Sequence, residues 1–156
     1  IIPMNGRNLK NWVERNYLEN SNVIEFHLYD RNGGENYREA VDEVNSRPDP
    51  SYGTLTEKRE MENYIHKSLI EEEFNITMDD ISDWDNEDIP QYLTNRTGKS
   101  EKVIKEILNG KLSKKMTKEL FEDLGAWREV KGWFEKIREL MDRTLIEEAK
   151  ENVSQT

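Results

Sequence analysis

The stretch VIEFHLYDRNGG, residues 23–34, decides the fold of the first half of this chain. Its first seven residues are mostly β-branched, aromatic or aliphatic, and turn residues flank them on both sides, which predicts a strand. The two glycines at the end of the stretch break that strand. Asp30 therefore lies where the strand stops. Asp30 is either a metal ligand or a helix cap. In the second case, Asp30 or Asn32 caps the helix that begins near Glu35.

The segments around this strand predict a small parallel sheet covered by helices. Residues 1–5 form a short apolar run, and residues 52–56 have the composition of a third, short strand. Residues 8–18 and 35–47 have apolar side chains at helical spacing. Alternating strands and helices joined by short loops are typical of parallel α/β sheets. Because such sheets bind ligands at the carboxyl ends of their strands, Asp30 is a candidate functional residue.

After residue 56 the chain is predicted to be mainly helical. Residues 57–75 are expected to form one helix or a broken pair, so residues 1–75 make up the predicted α/β unit. Residues 76–97 are acidic and are expected to be a linker or short helices, and residues 98–150 a helical extension. The last helix carries an apolar stripe, which is predicted to pack against the helices before it. The stripe consists of Trp127, Val130, Trp133, Phe134, Ile137, Leu140 and Met141.

The composition excludes several classes of protein. The 156 residues include no cysteine, which rules out disulfides and thiolate zinc sites and fits a reducing, cytoplasmic location. No apolar run approaches the ~20 residues of a membrane span, and no GxxxxGK[ST] phosphate loop occurs. The net charge of −10 excludes a basic surface over the whole protein. Lysines are nevertheless concentrated between residues 96 and 118, whereas residues 69–89 are acidic without a basic residue.

The segment TEKREMENYIH, residues 56–66, is a second candidate site. On a helix Glu60 and Glu62 would point to different sides, whereas Glu62 and His66 would share a face. Taken alone, the segment is better explained as a solvated helix with its apolar residues packed inward. The lysines of residues 99–118 are likewise explained as a solvated face, or as a source of one catalytic lysine.

Three segments taken together carry a more specific signal. They are IIPMNGRNLKNWV, then FHLYDRNGGENYREAVDEVNSR leading to TEKREMENYIH, then KKMTKELFEDLGAWREVKGWFEKI. In order and spacing they resemble the Toprim region of OLD-family ATP-dependent endonucleases, over about residues 1–141. The resemblance implies a partial Toprim-like α/β fold, a small parallel sheet flanked by helices, followed by a helical carboxyl-terminal extension. It also implies that DNA is hydrolysed with Mg²⁺ or Mn²⁺ as the cofactor.

The resemblance also implies roles for six residues. Asp30 matches the first aspartate of the family's D-x-D metal motif, and Asn32 stands in place of the second. Because asparagine removes one charge, metal affinity is expected to fall. The implied metal ligands are Asp30, Asn32 and Glu60, and the implied catalytic residues are Glu62, Lys102 and Lys105. Asp30 is expected to face a cleft that it shares with Glu60 or Glu62.

The family's early metal-binding glutamate lies upstream of the segment that matches residues 1–13. We therefore expect this chain to be the carboxyl-terminal part of a Toprim domain, with weak or absent nuclease activity alone. The resemblance implies two partners: DNA, and an ATPase module on the same chain or on a partner chain. It implies no binding to a membrane. A homo-oligomer is compatible with it. The alternative is a non-catalytic Toprim remnant that binds protein or DNA. A third interpretation takes the acidic residues 69–89 as a mimic of nucleic-acid charge.

Overall fold

A computed structural model describes Val13 and residues 23–154, with the side chains of Val13 and residues 23–143. The described chain is α/β, with a two-stranded parallel sheet and six α-helices. The predicted strand at residues 1–5 and nearly all of the helix predicted over residues 8–18 lie outside the described residues. The elements are β1 (Phe26–Tyr29), α1 (Glu35–Ser46), β2 (Tyr52–Leu55), α2 (Lys67–Phe74), α3 (Ile89–Thr97), α4 (Glu101–Ile107), α5 (Lys118–Asp123) and α6 (Trp127–Ser154).

The chain divides into two compact units, which we call the sheet unit and the helical unit. The sheet unit holds the described residues up to Tyr29, Gly33–Leu55 and the chain from Gly132 onward. The helical unit holds Asp30–Asn32 and Thr56–Lys131. The boundaries expected near residues 75 and 97 do not coincide with this division, because residues 56–75 are grouped with the helices that follow them.

In the sheet unit, β1 and β2 pair in parallel, with Phe26 opposite Tyr52 and Tyr29 opposite Leu55. Both strands and α1 lie where the sequence predicts them. Helix α1 packs closely on β2 at Gly53, where an added Cβ would lie 3.2 Å from a backbone Cα of the helix. This close approach explains why the strand carries a glycine in its interior.

The helical unit has the larger buried core. Residues 76–97 are part of it, so they are not a loose linker: Met78, Ile89 and Leu93 are completely buried. Helix α3 within this segment confirms the prediction of a short helix. Asp88 accepts a hydrogen bond from the Gln91 N–H at 3.0 Å and so caps the helix. The core consists of Ile65, Ile70, Met78, Ile89, Leu93, Ile104, Leu108 and Leu112.

The side chains of the apolar stripe on α6 differ widely in burial. From Gly132 onward it is grouped with the sheet unit, whereas Trp127 and Val130 belong to the helical unit. Leu140 is buried, but Phe134 and Met141 are 66% and 62% exposed. None of the helices in the described residues is both long and apolar enough to cross a membrane.

Candidate functional site

Residues 56–65 of the helical unit are not a helix, and in this respect the sequence prediction is wrong. The chain is irregular up to a single 3₁₀ turn at Met61–Tyr64, and helix α2 begins only at Lys67. Glu60 is extended, and its N–H donates to Asn63 Oδ1 at 3.2 Å. A side-chain bond of this kind offers the backbone an alternative to the helix. Glu62 and His66 therefore do not share a helical face.

The segment is unusual because it buries charged side chains. Lys58, Glu60 and Glu62 are 5%, 3% and 3% exposed. Removing a charge from water is costly unless the charge is paired or hydrogen-bonded. Each of these three charges must therefore be paired inside the helical unit, and their partners define the candidate site.

Two backbone contacts hold the segment beside the residues that follow β1. The Arg31 N–H donates to Thr56 Oγ1 at 3.0 Å, and the Asn32 N–H donates to the Arg59 carbonyl at 3.0 Å. The Asn32 side chain is exposed. The contribution of Asn32 to the segment is thus through its backbone.

Asn63 fixes the segment from the other side. Its completely buried amide donates to the carbonyls of Trp84 at 2.6 Å and Glu87 at 3.0 Å. The Trp84 indole N–H donates in return to the Asn63 carbonyl at 2.9 Å. This exchange satisfies the polar groups of a buried turn and holds its geometry.

A further buried network surrounds Lys58. Its ammonium pairs with Asp85 and lies 3.4 Å from the Leu124 carbonyl. The Lys58 N–H donates to the Tyr64 hydroxyl at 3.2 Å, and that hydroxyl donates to Glu129. These contacts tie the segment to Leu124, just before α6, and to Glu129 in the first turn of α6. Sequence patterns gave no signal for them, because their partners lie far apart along the chain.

Asp30 does not cap α1. That helix starts after Gly34 without a hydrogen bond from a capping side chain. Asp30 Oδ1 instead accepts a hydrogen bond from the Met61 N–H at 2.9 Å. Since Met61 stands between Glu60 and Glu62, this bond brings the Asp30 carboxyl to the backbone that carries both glutamates. Burial raises the pKa of Asp30, the Met61 N–H opposes that effect, and the nearby Glu62 carboxylate adds to it.

Lys105 of α4 is the cation that faces these carboxylates. Its Nζ lies 3.3 Å from Glu60 Oε2 and 3.8 Å from Glu62 Oε1. A third carboxylate, Glu101 one helical turn earlier, lies at 3.5 Å. Burial alone would lower the pKa of Lys105, but the Glu62 and Glu60 charges outweigh that effect and raise it. Lys105 is therefore a protonated counter-ion of the glutamate pair.

Asn109 is a contact that sequence reasoning missed. Its Nδ2 donates to Glu62 Oε1 at 2.9 Å. Asn109 lies in the π-helical turn Leu108–Leu112 that directly follows α4. Single π-helical turns are frequent at functional sites because they redirect one side chain. The spacing of four residues between Lys105 and Asn109 is the sequence signal that could have linked them.

Glu60 has an incomplete set of partners. Its Oε1 is buried and makes no hydrogen bond to any residue that the structure describes. Burial raises the pKa of Glu60 to about 7; the Glu62 charge adds to the rise, and Lys105 opposes it. An oxygen without a donor beside a second carboxylate has an environment that a further cation or a proton would stabilise.

The other predicted residues lie outside this cluster. Lys102 is 86% exposed on its side chain and lies 3.9 Å from Glu106 on the same helix. His66 Nε2 lies 2.8 Å from Asp123 Oδ2. Its Nδ1 accepts a hydrogen bond from the Ser68 N–H and so caps the start of α2. Of the six residues implied by the resemblance, the structure brings together Asp30, Glu60, Glu62 and Lys105.

The oxygen donors of the cluster are of the type that a hard cation such as Mg²⁺ or Mn²⁺ binds. Such ions bind carboxylate oxygens, and Glu60 Oε1 is a buried carboxylate oxygen without a donor. Within the described residues, however, no group of three or more His, Cys, Asp or Glu side chains is placed so that it could hold a metal ion. The Lys105 ammonium lies between Glu60 and Glu62, where a bound ion would compete with it.

Comparison with family models, with curated proteins and with solved structures finds no match to this chain.

Proposed function

We propose that Asp30, Glu60, Glu62 and Lys105 belong to a Toprim-type centre that binds Mg²⁺ or Mn²⁺ and hydrolyses phosphodiester bonds of DNA. The observation that supports the proposal best is the buried Glu60, whose Oε1 lacks a donor while Oε2 contacts Lys105. Buried carboxylates with strongly shifted pKa values are concentrated at functional sites.

Each side chain has a separate part in this proposal. Glu60 and Glu62, with Asp30, would hold the ion through their carboxylate oxygens. The bound ion would supply activated water and neutralise phosphate charge. Lys105 carries a positive charge that can face a phosphate oxygen in the transition state. Asn109 orients Glu62 through its hydrogen bond to Oε1.

We expect this chain to have weak activity. Asn32 contributes no charge at the second position of the D-x-D motif, so fewer carboxylates offset the charge of the ion. The exposed lysines Lys99, Lys114 and Lys115 provide sequence-independent attraction to the DNA backbone. An ATPase module, on the same or another chain, and a cytoplasmic location complete the proposal, as the resemblance implies.

The test is conversion of supercoiled plasmid to open circles in Mg²⁺ or Mn²⁺. We expect weak nicking by the wild-type chain and faster nicking by Asn32→Asp. Adding Glu60→Gln to Asn32→Asp should abolish it, while adding Glu72→Gln, an exposed glutamate of α2, should not. Nicking that is indifferent to Glu60→Gln, or that persists in EDTA, would assign the activity to another site.

A non-catalytic Toprim remnant is the second candidate, and one observation favours it. Lys105 already neutralises part of the glutamate charge, so the cluster can exist without a metal ion. In that case Mn²⁺ would not bind by calorimetry to either the wild-type chain or Asn32→Asp. Binding of Mn²⁺ that is lost in Glu60→Gln would exclude this candidate.

A further inference from the structure

Lys105 occupies a special position because it contacts three carboxylates at once. Two of them, Glu60 and Glu62, are buried members of the candidate site, and the third, Glu101, is 56% exposed on its side chain. Glu101 belongs to the same helix as Lys105 and precedes it by four residues. The ammonium therefore has two carboxylate partners inside the cluster and one outside it.

We infer that Lys105 is an exchangeable counter-ion: a divalent cation that enters the candidate site displaces its ammonium from Glu60 and Glu62 onto Glu101. This inference rests on the proposed function, since it concerns the same site. It assigns to Lys105 a role in selecting the cation and to Glu101 a role as the acceptor of the displaced ammonium.

The competition follows from the distances. Lys105 Nζ lies 3.3 Å from Glu60 Oε2 and 3.8 Å from Glu62 Oε1. A metal ion bound to both carboxylates would lie within a few ångströms of that ammonium, and the two positive charges would repel strongly. The ammonium must therefore move before or while the metal binds.

Movement toward Glu101 is physically easy. The Lys105 side chain is 39% exposed, so its ammonium can leave the cluster without crossing the core. Its Nζ already lies 3.5 Å from Glu101 Oε1. A glutamate four residues before a lysine on a helix is the favourable orientation for such a pair. The displaced charge is therefore not left without a partner.

The exchange makes the site prefer divalent cations over monovalent ones. A monovalent ion gains no more from the two glutamates than the ammonium that it would replace, whereas a divalent ion gains more. We expect Mn²⁺ or Mg²⁺ to enter the site while Na⁺ and K⁺ do not. Lys105 thus lowers affinity for every metal ion but excludes the abundant monovalent ones.

Calorimetric titration of the metal-free chain with MnCl₂ tests the exchange. Removing the competing charge in Lys105→Met should tighten the Kd at least about tenfold. Removing the acceptor in Glu101→Gln should weaken binding by about twofold, the size expected of one helical ion pair. Lys102→Met is the matched control: it removes a lysine from the same helix but outside the cluster, and its Kd should equal that of the wild type.

Each other result has a definite meaning. Equal or weaker binding by Lys105→Met, while the wild type binds Mn²⁺, overturns the exchange but leaves the proposed site standing. Absence of binding in the wild type and in a folded Lys105→Met overturns both. If Lys105→Met does not fold, Glu101→Gln decides, because an unchanged Kd in that variant contradicts the acceptor role. Circular dichroism of each variant establishes which case applies.

Discussion

Replacing Glu60 by glutamine is expected to change how the stability of the protein depends on pH. Burial, reinforced by the Glu62 charge, raises the pKa of Glu60 from its usual 4.5 to about 7. The folded state therefore keeps a proton that the unfolded chain has already released. This contribution to stability is complete below pH 4.5 and is lost as the pH rises through about 7. A pKa difference of this size corresponds to about 3 kcal/mol.

Glutamine has nearly the same shape as a protonated glutamic acid but does not ionise. In EDTA, the unfolding free energy of Glu60→Gln relative to the wild type should rise by up to about 3 kcal/mol between pH 4.5 and pH 8. Urea unfolding followed by tryptophan fluorescence measures the difference at each pH. Glu101→Gln, which removes an exposed partner of the same lysine, is the control and should run nearly parallel to the wild type. Parallel curves for Glu60→Gln as well would refute the argument that burial holds Glu60 protonated near neutral pH.

Three further expectations concern stability. Asp85→Ala should lower the free energy of unfolding in urea by roughly 3 kcal/mol, and Lys58→Met by roughly 1 kcal/mol. The reason is that only Asp85→Ala leaves a buried ammonium without its carboxylate. The reverse order would contradict the pairing. Asp30→Ala should lower the free energy of unfolding by about 1–2 kcal/mol, because it removes the acceptor of the Met61 N–H. Asp30→Asn keeps an oxygen at that position and should lower it less. Equal losses would show that this hydrogen bond contributes little to stability. Gly53→Ala should lower the melting temperature by several degrees, since its Cβ would stand 3.2 Å from helix backbone, and an unchanged value would mean that α1 shifts freely.

The elements that the sequence predicts correctly are those whose apolar pattern agrees with their packing. Residues 26–29, 35–46 and 52–55 form a strand, a helix and a strand as expected. The helix buries Ala40 and Val44, and the first strand buries Tyr29. No tertiary contact has to override the local pattern there, which is why periodicity was sufficient.

The segment at residues 56–65 was mispredicted because its polar groups, and not its apolar ones, determine its shape. Met61, Tyr64 and Ile65 have helical spacing, yet Met61 is 38% exposed. Asn63 bonds the Glu60 N–H and two distant carbonyls, which a helix could not satisfy. Such long-range hydrogen bonds leave no periodic signal in a sequence.

The site was only partly accessible from the sequence for a similar reason. Asp30 was singled out by its place after a strand, but Lys105 came from the resemblance alone, without a way to separate it from Lys102. The structure separates them, because Lys105 faces the glutamates and Lys102 faces solvent. Asn109 became visible only with the π-helical turn that carries it.

The stability of the helical unit does not by itself explain the glutamate pair. Replacing a buried ion pair with apolar side chains of similar volume is often neutral or stabilising, so burial of Glu60 and Glu62 is weak support for a structural role. The Lys58 network and Asn63 already anchor the segment on both sides. What Glu60 adds is a buried oxygen without a donor and a pKa near neutrality, both unfavourable for a folded protein that binds nothing there. A positively charged ligand removes both costs at once, and this is the physical reason to look for a cation at this site before looking elsewhere in the described chain.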